Sequence, residues 1–264
     1  MSLPGHTSTD ATSSTTGSAQ FSFGVTIPDL YLPDVTTRFK RHFGGGRWLD
    51  LIEIEYTHPV TATDAFASRV GSAVATEYRT RDYEVCYRCH NKSIQGPEVP
   101  LAEEQVEASD IIAMVTHPDQ SPHIVLVVQF RPATGQYTIE WPSGLIDQKE
   151  GVGEAALREL KEETGYVGQV VSISPPMTNE PGMSSSRCCI VEVDVDGTLP
   201  ENQKLQSQRE EDEWSLQTIT LPLDNLLEGL LELSKHYQPK LTVDARLYNY
   251  AAGLAAGRRS IRRS

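Results

Sequence analysis

Cysteine is scarce: the 264-residue chain has four, at Cys86, Cys89, Cys188 and Cys189. That is too few for a disulfide scaffold at this size, so reduced, partly buried thiols of an intracellular protein are expected. Cys86 and Cys89 have the C-x2-C spacing of zinc sites. The other two are an adjacent pair and the C-x2-C falls in a strand-like stretch, so structural zinc is set aside. Positive charge is also short, with 23 Lys and Arg against 36 Asp and Glu, a formal net charge of −13. Such a balance argues against wrapping nucleic acid or lying on an anionic membrane. It suits a protein whose anionic ligand arrives already complexed with metal. No apolar run approaches the roughly 20 residues that span a bilayer. The first Lys or Arg is Arg38, and no charged segment leads into an apolar one, so neither a secretory signal nor an Arg-rich presequence is read. A cytoplasmic protein is expected, with the nucleus as the alternative.

What remains is an ordinary globular composition, 38% hydrophobic and 22% charged. Residues 1–20 are dominated by Ser, Thr, Gly and Ala, and 1–40 are expected to be disordered or extended. A second polar stretch lies near Ser93–Ser109, and a basic tail from Arg258 to Ser264 reads as a solvated, frayed end. Between them the sequence is strand-rich. Trp48–Tyr56 alternates apolar and polar residues, and Tyr83–His90 is a second candidate strand. Ile111–Thr116, His123–Phe130, Tyr137–Trp141, Val170–Ile173, Arg187–Val195 and Trp214–Leu221 complete the set. Helices are expected over Glu154–Thr164, Leu223–Ser234 and Thr242–Ala256, with Gly165 and Gly257 as stops. Strands interrupted by a few helices indicate an α/β or α+β sandwich in which helices cover a mixed sheet.

Chemistry concentrates in Gly144–Tyr166, GLIDQKEGVGEAALRELKEETGY. At 100° per residue Glu159, Glu162 and Glu163 share one helix face, while Leu157, Leu160 and Thr164 lie on another that can pack on the sheet. Glu150 stands in the loop just before the helix. Three Glu on a helix are ordinarily a solvated acidic face. Hard divalent cations, however, need several oxygens, and here they are supplied at a loop–helix junction.

The stretch resembles the Nudix box, G-x5-E-x7-R-E-U-x-E-E-x-G-U with U a bulky apolar residue. Gly144, Glu150, Arg158, Glu159, Leu160, Glu162, Glu163, Gly165 and Tyr166 match it, Tyr166 standing where an aliphatic residue is usual. The resemblance implies a Nudix α/β/α sandwich with a mixed sheet over 96–257, preceded by a small N-terminal β subdomain over 41–95. It implies Mg2+, or Mn2+, held on a diphosphate substrate by Glu159 and Glu163, with Glu162 beside them and the Ser143 carbonyl completing the site. Glu150, Glu140 and Gly144 would act behind these ligands, and Arg158 would hold the acidic helix in register.

Substrate choice lies outside the box. Pro181 follows Gly165 by 16 residues, within Glu180-Pro181-Gly182-Met183-Ser184. This resembles the proline–glycine loop of the ADP-ribose and ADP-sugar pyrophosphatase branch. Gln129-Phe130-Arg131-Pro132, Tyr137–Asp147, Leu241–Tyr248, Trp48 and Tyr83–Arg88 are similar to that branch in order and spacing, so the resemblance covers about 45–255. It implies a homodimer in which Trp48 and Tyr83, one from each subunit, sandwich the adenine. Tyr83 stands where Trp is usual, which would weaken the stack. Glu84 would meet the base edge, Arg88 and Arg131 the phosphates or terminal ribose, and Leu145, Glu180 and Pro181 would line the substrate. The base would come from QREEDEW, Gln208–Trp214, with Glu213 aligned best and Glu211 as the alternative.

The leading expectation is therefore Mg2+-dependent hydrolysis of ADP-ribose to AMP and ribose 5-phosphate, other ADP-sugars being further substrates. A Nudix hydrolase of oxidised nucleotides or dinucleotides is the enzymatic alternative. A non-catalytic ADP-ribose sensor is the third reading. Such modules typically lose box glutamates, and this sequence keeps them all.

Overall fold

Strand alternation decides which side of the central sheet each residue meets. In β4 (Ala108–His117) Ile111, Ala113 and Val115 turn to one face, while Ile112 and Met114 turn to the other. The same division runs through the sheet and creates two apolar layers. A computed structural model describes residues 35–46, 49–59, 78–88, 106–208 and 213–261. By internal contacts the chain divides into two units, 1–38 with 55–83, and 39–54 with 84–264.

Three strands, β1 (Thr36–Gly45), β2 (Leu49–Pro59) and β3 (Tyr78–Arg88), form a sheet in the order β1-β2-β3. In the first unit Arg38 pairs with Glu55, the Thr57 and Thr80 hydroxyls meet at 2.9 Å, and Tyr56 stacks on His58. In the second unit Ile52, Ile54 and Val85 form a small core with Phe39 and Tyr87, flanked by Arg41–Glu53 and His42–Asp50 pairs.

The second unit also holds a nine-stranded mixed sheet. To β4 are added β5 (Gln120–Arg131), β6 (Gln136–Glu140), β7 (Ser143–Leu145), β8 (Gln169–Ile173), β9 (Met177–Thr178), β10 (Arg187–Asp196), β11 (Gln217–Pro222) and β12 (Leu241–Val243). The order is β12-β6-β5-β4-β10-β8, with β11 on β5, β7 on β4 and β9 on β10. The β4–β10 and β6–β12 pairs are parallel and the other ladders antiparallel. Helix α1 (Val152–Thr164) buries Ala156 and Leu160 against Ile111, Val125 and Val191 on one face. A short α2 (Pro200–Gln203) follows β10. Helices α3 (Leu226–His236) and α4 (Ala245–Ile261) cover the other face, where Leu230, Leu247 and Ala251 pack on Ile124, Leu126 and Trp141. The α/β sandwich with a mixed sheet and an N-terminal β sheet is thus the architecture expected.

Local differences have local causes. β1 lies partly inside the segment expected to be disordered or extended, because in TTRFKRHFGG Arg41 separates Phe39 from Phe43 on their shared face and leaves no alternation to read. β7 lies in what reads as a loop, since three residues are too short for a periodic signal. β11 begins at Gln217 rather than Trp214, because Glu213–Leu216 makes a turn closed by Leu216 N–H donating to the Glu213 carbonyl at 2.9 Å. Helix α4 starts three residues later than expected, Leu241–Val243 having joined β6. It also passes Gly257 and runs to Ile261, where Arg258 is not a free tail residue but pairs with Asp224 at 2.9 Å.

Asp244 sets the start of α4. Its Oδ1 accepts from the backbone N–H groups of Arg246 (2.8 Å) and Leu247 (3.4 Å), as an N-cap does. The same carboxylate grips the Arg246 guanidinium at 3.0 Å, which reaches on to buried Asp110 at 2.6 Å. The Cys188 thiol donates to Asp110 at 3.4 Å and to Asn179 at 3.1 Å. Burial outweighs Arg246 and leaves the Asp110 carboxyl above its ordinary value. Burial, the Asp110 charge and the Asp110 hydrogen bond push the Cys188 thiol up to about 11. At Asp244 burial acts upward too, but Arg246 prevails and the carboxyl lies below its ordinary value.

Asp244→Ala should lose about 2 kcal/mol at pH 7, roughly half from the cap and half from the partly exposed Arg246 contact. Asp244→Asn keeps a capping oxygen and should lose about half as much. Because the folded carboxyl is depressed, its charge contributes fully above its unfolded value of about 3.9 and is lost as pH falls through the folded value. Denaturant midpoints of wild type and Asp244→Asn should therefore converge below about pH 4; a gap constant from pH 7 to pH 3 would refute the charge contribution.

Candidate active site

Helix α1 is the scaffold of the site. It begins with Gly151, whose N–H donates to Glu154 Oε2 at 2.9 Å, and ends at Gly165, whose left-handed φ of 81° closes the last turn onto Lys161. A side chain at Gly165 would also strike the Gln206 backbone nitrogen at 2.7 Å, so glycine is required there twice over. The preceding loop turns through Lys149 at φ 74°, with Glu150 N–H donating to the Asp147 carbonyl and Asp147 N–H to Glu150 Oε2.

Arg158 organises the carboxylates. Its Nε and one terminal nitrogen grip Glu150 bidentately, both at 2.9 Å. The other terminal nitrogen reaches Glu159 at 2.7 Å and Glu162 at 3.1 Å, and the guanidinium also donates to the Leu145 carbonyl at 3.0 Å. One cation thus joins three acidic residues to the β7 backbone. The Glu150 hydrogen bond raises the guanidinium pKa, and the same bond holds the Glu150 carboxyl below its ordinary value.

Two glutamates point toward the sheet. Glu163 is 2% exposed and accepts from the Ser143 N–H at 3.0 Å. Glu159 lies against Gly144 so closely that a Cβ there would fall 1.9 Å from its carboxyl carbon. Burial pushes both carboxyls up, Glu163 strongly, and Glu213 adds repulsion to each. Arg131 holds buried Glu140 through two bonds of 2.9 and 2.6 Å, and its charge acts favourably on Glu163. Glu163 and Glu159 therefore meet the sheet at Ser143 and Gly144, where the charges of Glu213 and Arg131 act on Glu163. Among the described residues no three or more His, Cys, Asp or Glu side chains stand as a ready-made metal cage. Arg158 holds oxygens of Glu159 and Glu162 instead.

The donor set nevertheless fits a hard divalent cation. It offers carboxylate oxygens and the Ser143 carbonyl, and its buried acids repel one another in a way that a cation would relieve.

The other sequence-derived candidates are placed unevenly. Leu145 is half-buried on β7, and Glu180 and Pro181 are exposed in a turn closed by Met183 and Ser184 N–H groups donating to the Glu180 carbonyl. Glu84 is exposed on β3, and Tyr83 in the other unit is 42% exposed. β3 meets the proline–glycine turn directly, with Cys86 N–H donating to the Met183 carbonyl at 2.9 Å and Ser185 N–H to the Cys86 carbonyl at 3.3 Å. Arg88 ends β3, while Trp48, Glu211 and Cys89 lie outside the described residues or their side chains do. Arg131, expected on phosphate or ribose, has its fork engaged by Glu140. Sequence reading missed the anchors of the acidic turn. Ser215 accepts from Phe130 N–H, Thr218 donates to the Glu163 carbonyl, and Gln208 N–H donates to the Glu162 carbonyl. A serine, a threonine and a backbone amide carry no signature that could have revealed them.

Residues 106–240 match the NUDIX domain. An uncharacterised Nudix hydrolase of Schizosaccharomyces pombe is 41% identical over 156 residues, 59% of this chain and 74% of that protein. An ADP-ribose pyrophosphatase of Saccharomyces cerevisiae is 40% identical over 150 residues, covering 56% and 63%. An ADP-sugar pyrophosphatase of Mus musculus is 35% identical over 159 residues, covering 59% and 72%. A crystal structure of an ADP compounds hydrolase superposes with a TM-score of 0.52 at 19% identity, over 88% of this chain and 96% of that one, a likeness of fold. Box residues, sheet and relatives agree: this chain belongs to the Nudix hydrolase family.

Proposed function

We propose that this protein hydrolyses the diphosphate of ADP-ribose, and of related ADP-sugars, to AMP and a sugar phosphate in the presence of Mg2+ or Mn2+. The observation that carries the reading is the approach of buried Glu163 and of Glu159 to the Ser143–Gly144 backbone, with the Glu213 charge acting on both. The substrate class is supported by the relatives named ADP-ribose and ADP-sugar pyrophosphatase.

Glu159 and Glu163, with Glu162 beside them and the Ser143 carbonyl, would hold the cation. When bound, it neutralises diphosphate charge and lowers the pKa of an attacking water. The protein supplies the rest. Gly144 leaves room for the Glu159 carboxylate, and Arg158 ties Glu150, Glu159 and Glu162 to β7 so that their relative positions are set before substrate arrives. Glu213 takes the proton of the attacking water. The water oxygen bonds to one phosphorus, the bridging P–O bond breaks, and its electrons leave with the other phosphate. Arg131, aligned by Glu140, offers its charge to a substrate phosphate or the terminal ribose. Leu145, Glu180 and Pro181 bound the sugar side, Arg88 joins Arg131 at a phosphate or the terminal ribose, and Trp48, Tyr83 and Glu84 receive the adenine. The aromatic pair requires one residue from each of two subunits, so the active species is a homodimer, which a light-scattering mass of one chain would overturn.

Product analysis with Mg2+ across ADP-ribose, ADP-glucose, NADH and an oxidised guanosine diphosphate tests the reading. AMP should be released fastest from ADP-ribose, and Glu163→Gln should reduce that rate by roughly a hundredfold or more. Faster turnover of another compound would discard the substrate, and tight ADP-ribose binding without turnover would identify a sensor.

Gly144→Ala tests the close approach separately. The added methyl displaces the Glu159 side chain rather than backbone and breaks its Arg158 contact, so the protein should stay folded with only a modest fall in melting temperature. Turnover should fall about tenfold or more, because Glu159 can no longer occupy its place. Wild-type turnover in this variant would show that the approach is incidental.

A further inference from the structure

The turn carrying Glu213 is held to the sheet by a side chain. In the β5–β11 ladder Gln217 is opposite Val128, so two further steps of the same register set Ser215 opposite Phe130. There the ladder has changed character: the Phe130 N–H donates to Ser215 Oγ at 2.9 Å. Leu216, 1% exposed, anchors the turn from below, and its N–H donates to the Glu213 carbonyl at 2.9 Å. Trp214, the residue before Ser215, is 74% exposed.

We infer that Ser215 is a positioning residue, whose hydroxyl pins the Glu213–Leu216 turn to β5 and so fixes where Glu213 stands beside α1. The inference rests on the proposed role of Glu213 as the base. Three further contacts make the placement specific. Thr218, three residues after Ser215, donates to the Glu163 carbonyl at 3.3 Å, so β11 touches α1 at the buried glutamate itself. Gln208 N–H donates to the Glu162 carbonyl at 2.8 Å on the other side of the acidic segment. Phe130 adjoins Arg131, which is locked to Glu140. The Ser215 hydroxyl therefore connects the turn to the strand that also carries the site's arginine. The repulsion that Glu213 exerts on both Glu159 and Glu163 agrees with its standing within reach of them.

Backbone pairing could not do this work alone. The β5–β11 ladder ends at Gln217, so upstream of it neither the Phe130 N–H nor the turn is served by ladder pairing. One hydroxyl satisfies both needs.

The test compares wild type, Ser215→Ala, the isosteric pair Ser215→Thr and Ser215→Val, Glu213→Gln, and Ser215→Ala combined with Glu213→Gln. Steady-state AMP release from ADP-ribose with Mg2+ is the readout, each variant first being shown folded by its melting transition. Ser215→Ala should lower kcat roughly tenfold to a hundredfold with KM within about twofold. Ser215→Thr should recover most of the rate and Ser215→Val should not, a contrast that survives even if the alanine variant fails to fold. In the Glu213→Gln background, Ser215→Ala should lower kcat no further. An equal fold-loss in both backgrounds, or equal rates for Thr and Val, would make Ser215 a structural residue and overturn the inference. Wild-type kcat in Glu213→Gln would instead remove the base assignment, and the inference with it. The two failures are thereby distinguished.

Discussion

Carboxylates crowded into a half-buried space repel one another and resist desolvation, and the site can exist only where something offsets both effects. Arg158 does so from within the helix. Its planar fork binds Glu150 with two nitrogens and still reaches Glu159, Glu162 and the Leu145 carbonyl. A lysine ammonium could not span that set, because its donors radiate from a single point. The guanidinium fixes the loop before α1, the later turns of α1 and β7 as one piece. Glu163 lies beyond its reach and relies on the Ser143 N–H and on the Arg131 charge. The burial of Glu163 is consequently costly, and the proposed cation would complement it.

The sheet separates this acidic face from a second polar network that has a different task. Asp110, Arg246 and Asp244 lie at the start of α4, and Cys188 and Asn179 extend them toward the loop after β9. Every member has an opposite charge or a hydrogen-bond partner, which is how a buried polar group is tolerated. Asp110 is also in register with Ser143 across the β4–β7 pair. The α4 start and the backbone of the active-site loop are thereby referred to the same strand residue. A helix cap and the β7 backbone of the candidate site share one reference point, although they lie in different layers.

The sequence revealed α1 and its acidic face almost completely, because helix periodicity and the box spacing both fix residue positions over a short distance. Glu159, Glu163 and Arg158 meet through neighbouring turns of one helix, and local geometry alone brings them together. The strands with apolar faces were legible for the same reason. Polar β1 and three-residue β7 were not, since neither repeats a pattern long enough to be recognised. The contacts that cross the sheet were hidden more deeply. Ser215 meets Phe130 across 85 residues and Thr218 meets Glu163 across 55. Neither separation leaves any trace in a local window. Arg131 shows the limit most clearly. Its residue type suggested an anion, but nothing in the sequence showed that Glu140 would engage its fork.

That engagement bears on how the proposed substrate would be recognised. An arginine already paired with a buried glutamate is oriented before any ligand arrives, and its half-exposed guanidinium still carries donors that Glu140 does not use. Less side-chain freedom is lost on binding, so more of the contact is available for discrimination. The same economy is present on the other side of the site. The Cys86 backbone bonds to both Met183 and Ser185, so the β3 segment that includes Glu84 is joined by backbone hydrogen bonds to the turn that includes Glu180 and Pro181. Two segments proposed to read different ends of one ligand are thus parts of a single hydrogen-bonded unit. Displacement of either would move the other, and selectivity for base and sugar should be coupled rather than independent.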